Sequence, residues 1–275
     1  MSYIDAPGKK PKHPHYEHRT EKLDRKDNDF TCKKFHHVRK VSTHKKILKS
    51  LGRLGMCLND KPVDHLQNGE FEKVCFIIIN DYEDKHKYEL GVGPLNDGYL
   101  IALKFHKLDF KIFYLYNSES DVFSNYMAFF LKRTSEQLTV FYSGRVTNKN
   151  SGISFTKTAL IKETIGRIVE ANYTGNTKLV FITDSIGSGP AFTINTEPHK
   201  NMTSISVDKT ADPQSIEFEQ SHGIFTYYFC KIISENPNIT PNALAEKMDS
   251  YLSRFGEKIR IENSDSSLAE SSLYL

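Results

Sequence analysis

The amino-acid sequence predicts a layered α/β domain, with a mostly parallel central sheet flanked by helices, behind an extended basic N-terminal arm. First, short apolar runs such as Val-Cys-Phe-Ile-Ile-Ile-Asn at residues 74–80 recur along the chain. They are continuous and rich in β-branched residues, as strands buried on both faces are. Second, segments of helical length separate these runs, long enough for the crossovers that parallel neighbours require. Third, the charge is lopsided. Residues 1–53 carry 15 Lys/Arg against 6 Asp/Glu, and the remainder carries 22 against 28. The formal net charge of +3 therefore conceals +9 over residues 1–53 and −6 over the remainder.

A chain of 275 residues suits one large domain with tails, and 38% hydrophobic and 12% aromatic content supply a core. No apolar run approaches the roughly 18 residues needed to span a membrane. The opening residues, MSYIDAPGKKPKHPH, lack the apolar stretch of a signal peptide. Cys32, Cys57, Cys75 and Cys230 are scattered, with no CxxC spacing. They read as reduced thiols of a cytoplasmic protein.

The arm, residues 1–46, holds few aliphatics and cannot fold alone. Ten of its cations are the candidate partner-binding residues: Lys9, Lys10, Lys12, Arg19, Lys33, Lys34, Arg39, Lys40, Lys45 and Lys46. Such an arm binds an acidic protein surface, for example a cytoskeletal or microtubule lattice, or serves as a solvated tail. Nucleic acid is the minor option, because aromatic interleaving is sparse. Cys32 with His36, His37 and His44 lacks the second cysteine and spacing of a zinc site, so neither metal nor cofactor is expected.

Residues 47–72 read as a docking helix and linker, with an amphipathic stretch over 47–58. The domain proper covers 73–258. Strands are expected at 74–80, 110–116, 138–142, 179–183 and 202–207, and helices at 95–107, 122–132, 155–172, 222–234 and 241–254. Residues 259–275, acidic and Ser-rich, are expected to form a flexible tail.

The chemistry concentrates at residues 178–189, KLVFITDSIGSG. A buried strand ends there in Asp184-Ser185, followed by two glycines, and in α/β sheets sites gather beyond the carboxyl ends of strands. At the place for a nucleophile stands Ile186, which has no lone pair to offer.

Segments in this order resemble the caspase-like cysteine peptidases, specifically the metacaspase branch. Asn80-Asp81-Tyr82 is similar to that family's Asn-x-Tyr loop, and Leu95-Asn96-Asp97-Gly98 more loosely to its Leu-x-x-Asp helix start. Phe141-Tyr142-Ser143-Gly144 resembles the strand end carrying Tyr-Ser-Gly-His-Gly, and Asp184 through Gly189 the Asp-Ser-Cys-His-Ser-Gly loop. Asp212-Pro213-Gln214-Ser215-Ile216-Glu217 and His222 through Tyr228 resemble the downstream Asp-x-Gln-Ser-x-Glu and Gly-x-Phe-Thr-Tyr stretches. The resemblance covers roughly residues 74–255 and implies a caspase-like three-layer sandwich.

It also implies a Cys/His dyad, in which a thiolate attacks the scissile carbonyl and a histidine carries the proton. The positions of that dyad fall on Ile186 and Arg145, and the residues after them on Gly187 and Val146. A guanidinium stays protonated at physiological pH and cannot be a general base. Ser143, Ser185 and Ser188 lack an oriented base, His222 reads as a capping or surface residue, and Cys75 and Cys230 as inert core thiols. No catalytic residues are therefore expected.

The resemblance further implies an acidic pocket for Arg or Lys at Asp184 and Asp212. Two readings stand: a vestigial pocket that holds a basic side chain without cutting, or a loop cap at Asp184 and a solvated turn at Asp212. In the first, Arg145 pairs with Asp184 and fills the pocket. The expected function is a non-catalytic structural or interaction subunit anchored by its arm. The alternative is an inactive paralogue regulating an active metacaspase, with residual hydrolase activity least favoured.

Overall fold

The computed structural model describes residues 44–66, 69–82, 90–146, 152–186, 192, 201–209 and 223–274. Lys45 and Lys46 fall within these. Lys9, Lys10, Lys12, Arg19, Lys33, Lys34, Arg39, Lys40, Ser188, Asp212 and His222 lie outside the described residues.

The described residues open with helix α1 (His44–Leu51), so the last three residues assigned to the arm belong to a helix. Ile47 and Leu51 are buried on its inner face. The helix stops well short of residue 58, and Leu58 instead follows a two-residue edge strand, β1 (Met56–Cys57). Next come β2 (Phe71–Ile79), α2 (Gly93–His106), β3 (Lys111–Tyr116), α3 (Ser120–Arg133) and β4 (Thr134–Arg145). A small hairpin, β5 (Gly152–Ser154) and β6 (Ala159–Ile161), precedes α4 (Lys162–Asn172). The chain closes with β7 (Lys178–Ile186), β8 (Met202–Lys209), α5 (Ile224–Glu235), α6 (Pro241–Leu252) and β9 (Glu257–Asn263).

One seven-stranded sheet has the order β1-β3-β2-β4-β7-β8-β9. Every neighbouring pair is parallel except β8 and β9. Alternate side chains of the central strands enter separate layers, which is why their sequences are apolar without a break. Cys75, Ile77 and Ile79 of β2 pack with α1, α2, α5 and α6, while Val74, Phe76 and Ile78 pack with α3 and α4. Phe76 stacks on Phe123 at 5.9 Å and tilts against Phe130 at 5.1 Å. Each such fully buried side chain contributes about 1.5–3 kcal/mol of transfer free energy.

Two expectations fail for identifiable reasons. The helix expected at 155–172 begins only at Lys162. Phe155 is drawn into the core beside Phe123, with ring centroids 5.5 Å apart, and its N–H donates to the Thr158 carbonyl at 2.7 Å. The Thr156 and Thr158 hydroxyls bond to the Ser118 carbonyl and Ser120 Oγ, offering this stretch an alternative to helix. A Cβ on Gly152 would lie 2.2 Å from the Leu160 carbonyl oxygen, so the hairpin depends on glycine there.

The second correction concerns the tail. Residues from Glu257 onward form β9, antiparallel to β8, and a turn at Ser266–Glu270. Leu273 and Tyr274 then sit in the core. The Leu273 N–H donates to the Ile239 carbonyl at 2.8 Å, and its own carbonyl accepts from Gln137 Nε2 at 3.3 Å. The Lys178 ammonium bonds the Ser272 carbonyl. The alternation of Ile259 and Ile261 is the strand signal that the high serine content masked.

Candidate functional site

β4 and β7 run side by side, and their ends are in register. Ser143 pairs with Asp184, Gly144 with Ser185, and Arg145 with Ile186. The ladder continues one residue further, where the Val146 N–H donates to the Ile186 carbonyl at 2.9 Å. Parallel neighbours lie about 4.8 Å apart, so Arg145 and Ile186 stand next to each other at the carboxyl edge. Both are half-buried.

The turn after β4 is fixed from β2. The Arg145 N–H donates to the Tyr82 hydroxyl at 3.1 Å, and that hydroxyl donates to the Ser154 carbonyl at 2.8 Å. The Tyr142 hydroxyl donates to the Arg145 carbonyl at 2.5 Å. Burial pushes the phenols of both tyrosines up, so each stays a neutral donor. Tyr82 adopts a left-handed backbone with φ of 60°. Its N–H and that of Asp81 both donate to Asn117 Oδ1, at 3.1 and 3.0 Å. Asp81 in turn accepts from Asn117 Nδ2 at 2.7 Å and the Tyr116 hydroxyl at 2.8 Å, and lies 3.0 Å from His44 Nε2. The motif Asn80-Asp81-Tyr82 therefore carries a positioning network.

Two buried carboxylates receive the N-terminus of α5. Asp184 Oδ2 accepts from the Thr226 N–H at 3.1 Å and from its hydroxyl at 2.8 Å. Asp97 accepts from the Gly223 N–H through Oδ1 at 2.7 Å and from Ser143 Oγ through Oδ2 at 3.1 Å. The first amides of a helix have no intrahelical acceptor and carry the positive end of its dipole, so carboxylates there stabilise it. Asp184 thus caps a helix from the neighbouring strand and is only 4% exposed. Asp97 shares this work without having been singled out as a site residue. Its partner lies 126 positions away, which no local pattern could announce.

The remaining nucleophile candidates are dispersed. Cys75 and Cys230 are buried, and burial pushes both thiols up, away from the reactive thiolate. Cys57 is half-buried on β1, at the sheet's far edge. Ser143 donates to Asp97. The described histidines sit elsewhere: His44 beside Asp81, His65 in the turn Val63–Leu66, and His106 at the last residue of α2. Among the described residues no group of three or more His, Cys, Asp or Glu is arranged to hold a metal ion. No described helix is long and apolar enough to cross a membrane.

No family model matches the chain, and no curated protein matches it. Solved structures do. A structure of pro-sf-caspase-1 aligns with a TM-score of 0.53 at 12% identity, covering 76% of this chain and 96% of that one. Caspase-1 from Spodoptera frugiperda aligns with a TM-score of 0.54 at 12% identity, covering 76% and 94% respectively. The order of strands, the helices on both faces and these neighbours together give the chain a caspase-like α/β fold.

Proposed function

We propose that this chain is a non-catalytic caspase-fold protein that acts as an interaction subunit of a larger assembly, anchored by its basic N-terminal arm on an acidic partner such as a cytoskeletal lattice. The observation that carries the reading is the pairing of Arg145 with Ile186 at the two strand ends where the resemblance puts base and nucleophile. An alkyl side chain has no nucleophilic atom, and a guanidinium does not take up a proton. The raised, buried thiols of Cys75 and Cys230 offer no substitute. Fold by itself licenses no activity. The arm supplies the complementary half of the reading, since residues 1–46 carry 13 Lys/Arg against 6 Asp/Glu and are attracted to an acidic surface.

The purified chain is expected not to cleave Arg- or Lys-terminated peptide substrates, with or without calcium. The double substitution Ile186→Cys with Arg145→His is expected to introduce cleavage that neither single change gives. Turnover by the unaltered chain overturns the non-catalytic reading. Anchoring is read separately, by co-sedimentation with microtubules as the acidic polymer. Binding should weaken steeply with salt, and no binding at low salt overturns the anchoring.

A further inference from the structure

A groove of about 700 Å³ opens at the β1 edge of the sheet, remote from Arg145 and Ile186. The turn from α1 to β1 forms one wall, the end of α2 another, and β3 the floor. Four cations line it: Arg53, Lys61, His106 when protonated, and Lys111. Among the described residues no carboxylate does; Asp60 and Asp109 occupy neighbouring turns without joining the lining. Among the described residues none of the four cations forms an ion pair. Beside them stands Met56, a large hydrophobic side chain that is 37% exposed. A methionine offers an adaptable apolar contact. The turn is held flat on the floor, since a Cβ on Gly55 would fall 2.5 Å from the Ile112 carbonyl oxygen.

We propose that this groove docks an acidic peptide segment of a partner protein, with the carboxylates on Arg53, Lys61 and Lys111 and one apolar side chain against Met56. Charge complementarity selects the occupant, because the cations of the described lining repel a basic segment and attract an acidic one. Continuity supports it. α1 carries Lys45, Lys46 and Lys49 and ends just before Arg53, and its eight residues span about 12 Å. The groove thus extends the basic arm onto the folded body. It rests on the reading above only for the sign of the partner's charge.

The test uses the full chain and a fluorescein-labelled glutamate-rich peptide with one central leucine, followed by anisotropy. Arg53→Glu with Lys111→Glu is expected to weaken binding about tenfold, the effect of roughly one favourable charge contact. Exchanging the peptide's leucine for serine should weaken binding to the unaltered chain several-fold and to the groove variant hardly at all. Met56→Ser should likewise erase the leucine preference, and the charge-matched control Lys132→Glu with Lys258→Glu should change neither quantity. Both substituted groove cations are exposed, so unchanged circular dichroism is expected to accompany the loss. Normal binding by the groove variant, or a leucine preference that survives in it, overturns the proposal. If only Lys9→Glu with Lys10→Glu weakens binding, the groove proposal fails while the arm reading stands. Stronger binding of an oligonucleotide of equal charge overturns the acidic-peptide partner.

Discussion

Gly223 lies so close to Asp184 that a Cβ on it would come within 1.7 Å of the Oδ2 carboxylate oxygen. The same oxygen accepts the Thr226 N–H and hydroxyl, so the carboxylate fits the helix start only because position 223 has no side chain. Gly223→Ala should destabilise by about 1–3 kcal/mol through overpacking. Asp184→Ala should cost about 1–3 kcal/mol by leaving buried donors unpaired. The double substitution should cost clearly less than the two together, because removing the carboxylate makes room for the methyl. Urea unfolding of the four proteins measures this, and strict additivity would show that the two residues do not share the site.

Tyr82 ties β2 to the turn that carries Arg145. Its hydroxyl accepts the Arg145 N–H and donates to the Ser154 carbonyl. Tyr82→Phe should therefore cost about 1–3 kcal/mol of stability. The diagnostic effect is local, in amide hydrogen exchange. The Arg145 N–H should lose protection while the Val140 N–H, in the middle of β4, keeps it. Equal loss at both amides would mean that Tyr82 acts through the whole sheet and not on this turn.

The parts of the fold legible in the sequence are those whose signal is local. The runs at Val74 to Ile79 and Leu179 to Thr183 must be apolar because both faces are covered, and their order gives the parallel sheet. The adjacency of Arg145 and Ile186 was readable because both stand at strand ends whose motifs keep their spacing. The partners of Asp97 and Asp184 were not, although a capping role was one reading of Asp184, since a carboxylate's partner is set by the tertiary approach of α5. Phe155 and its threonines mimic the start of a helix until Phe123 is there to receive the ring. Leu273 and Tyr274 are two residues beyond a polar stretch, too few to produce a periodicity.

Tyr274 anchors the C-terminal residues between Phe105 and Phe110, with ring centroids at 5.3 and 6.5 Å. Its hydroxyl is buried with no hydrogen-bond partner among the described residues. Tyr274→Ala should cost about 3–5 kcal/mol, as loss of a buried aromatic does. Tyr274→Phe should instead be neutral or stabilise by up to about 1–3 kcal/mol, because it removes an unpaired buried polar atom. Thermal or urea unfolding distinguishes the two. A phenylalanine variant as damaged as the alanine variant would reveal a partner for the hydroxyl.

Burial raises a whole class of phenols. Tyr114 and Tyr173 are each pushed up to about 12, and Tyr82, Tyr142 and Tyr274 are also shifted upward, with desolvation the largest cause in every case. In the unfolded chain they ionise at about pH 10. Below that neither state loses these protons, so they leave stability unchanged. From about pH 10 to pH 12 the unfolded chain has shed protons that the native chain still binds, so stability falls as pH rises. Lys178, lowered by burial, works the other way just below the ordinary lysine range, as one group against these phenols and the raised thiols of Cys75 and Cys230. The chain has 14 Tyr and no Trp, so tyrosinate absorbance reports the titration without interference. Exposed phenols should titrate first and gradually. The buried ones should follow in a steep step that coincides with loss of far-ultraviolet circular dichroism. A single gradual titration with the secondary structure intact would show that the phenols named here reach solvent in the native state.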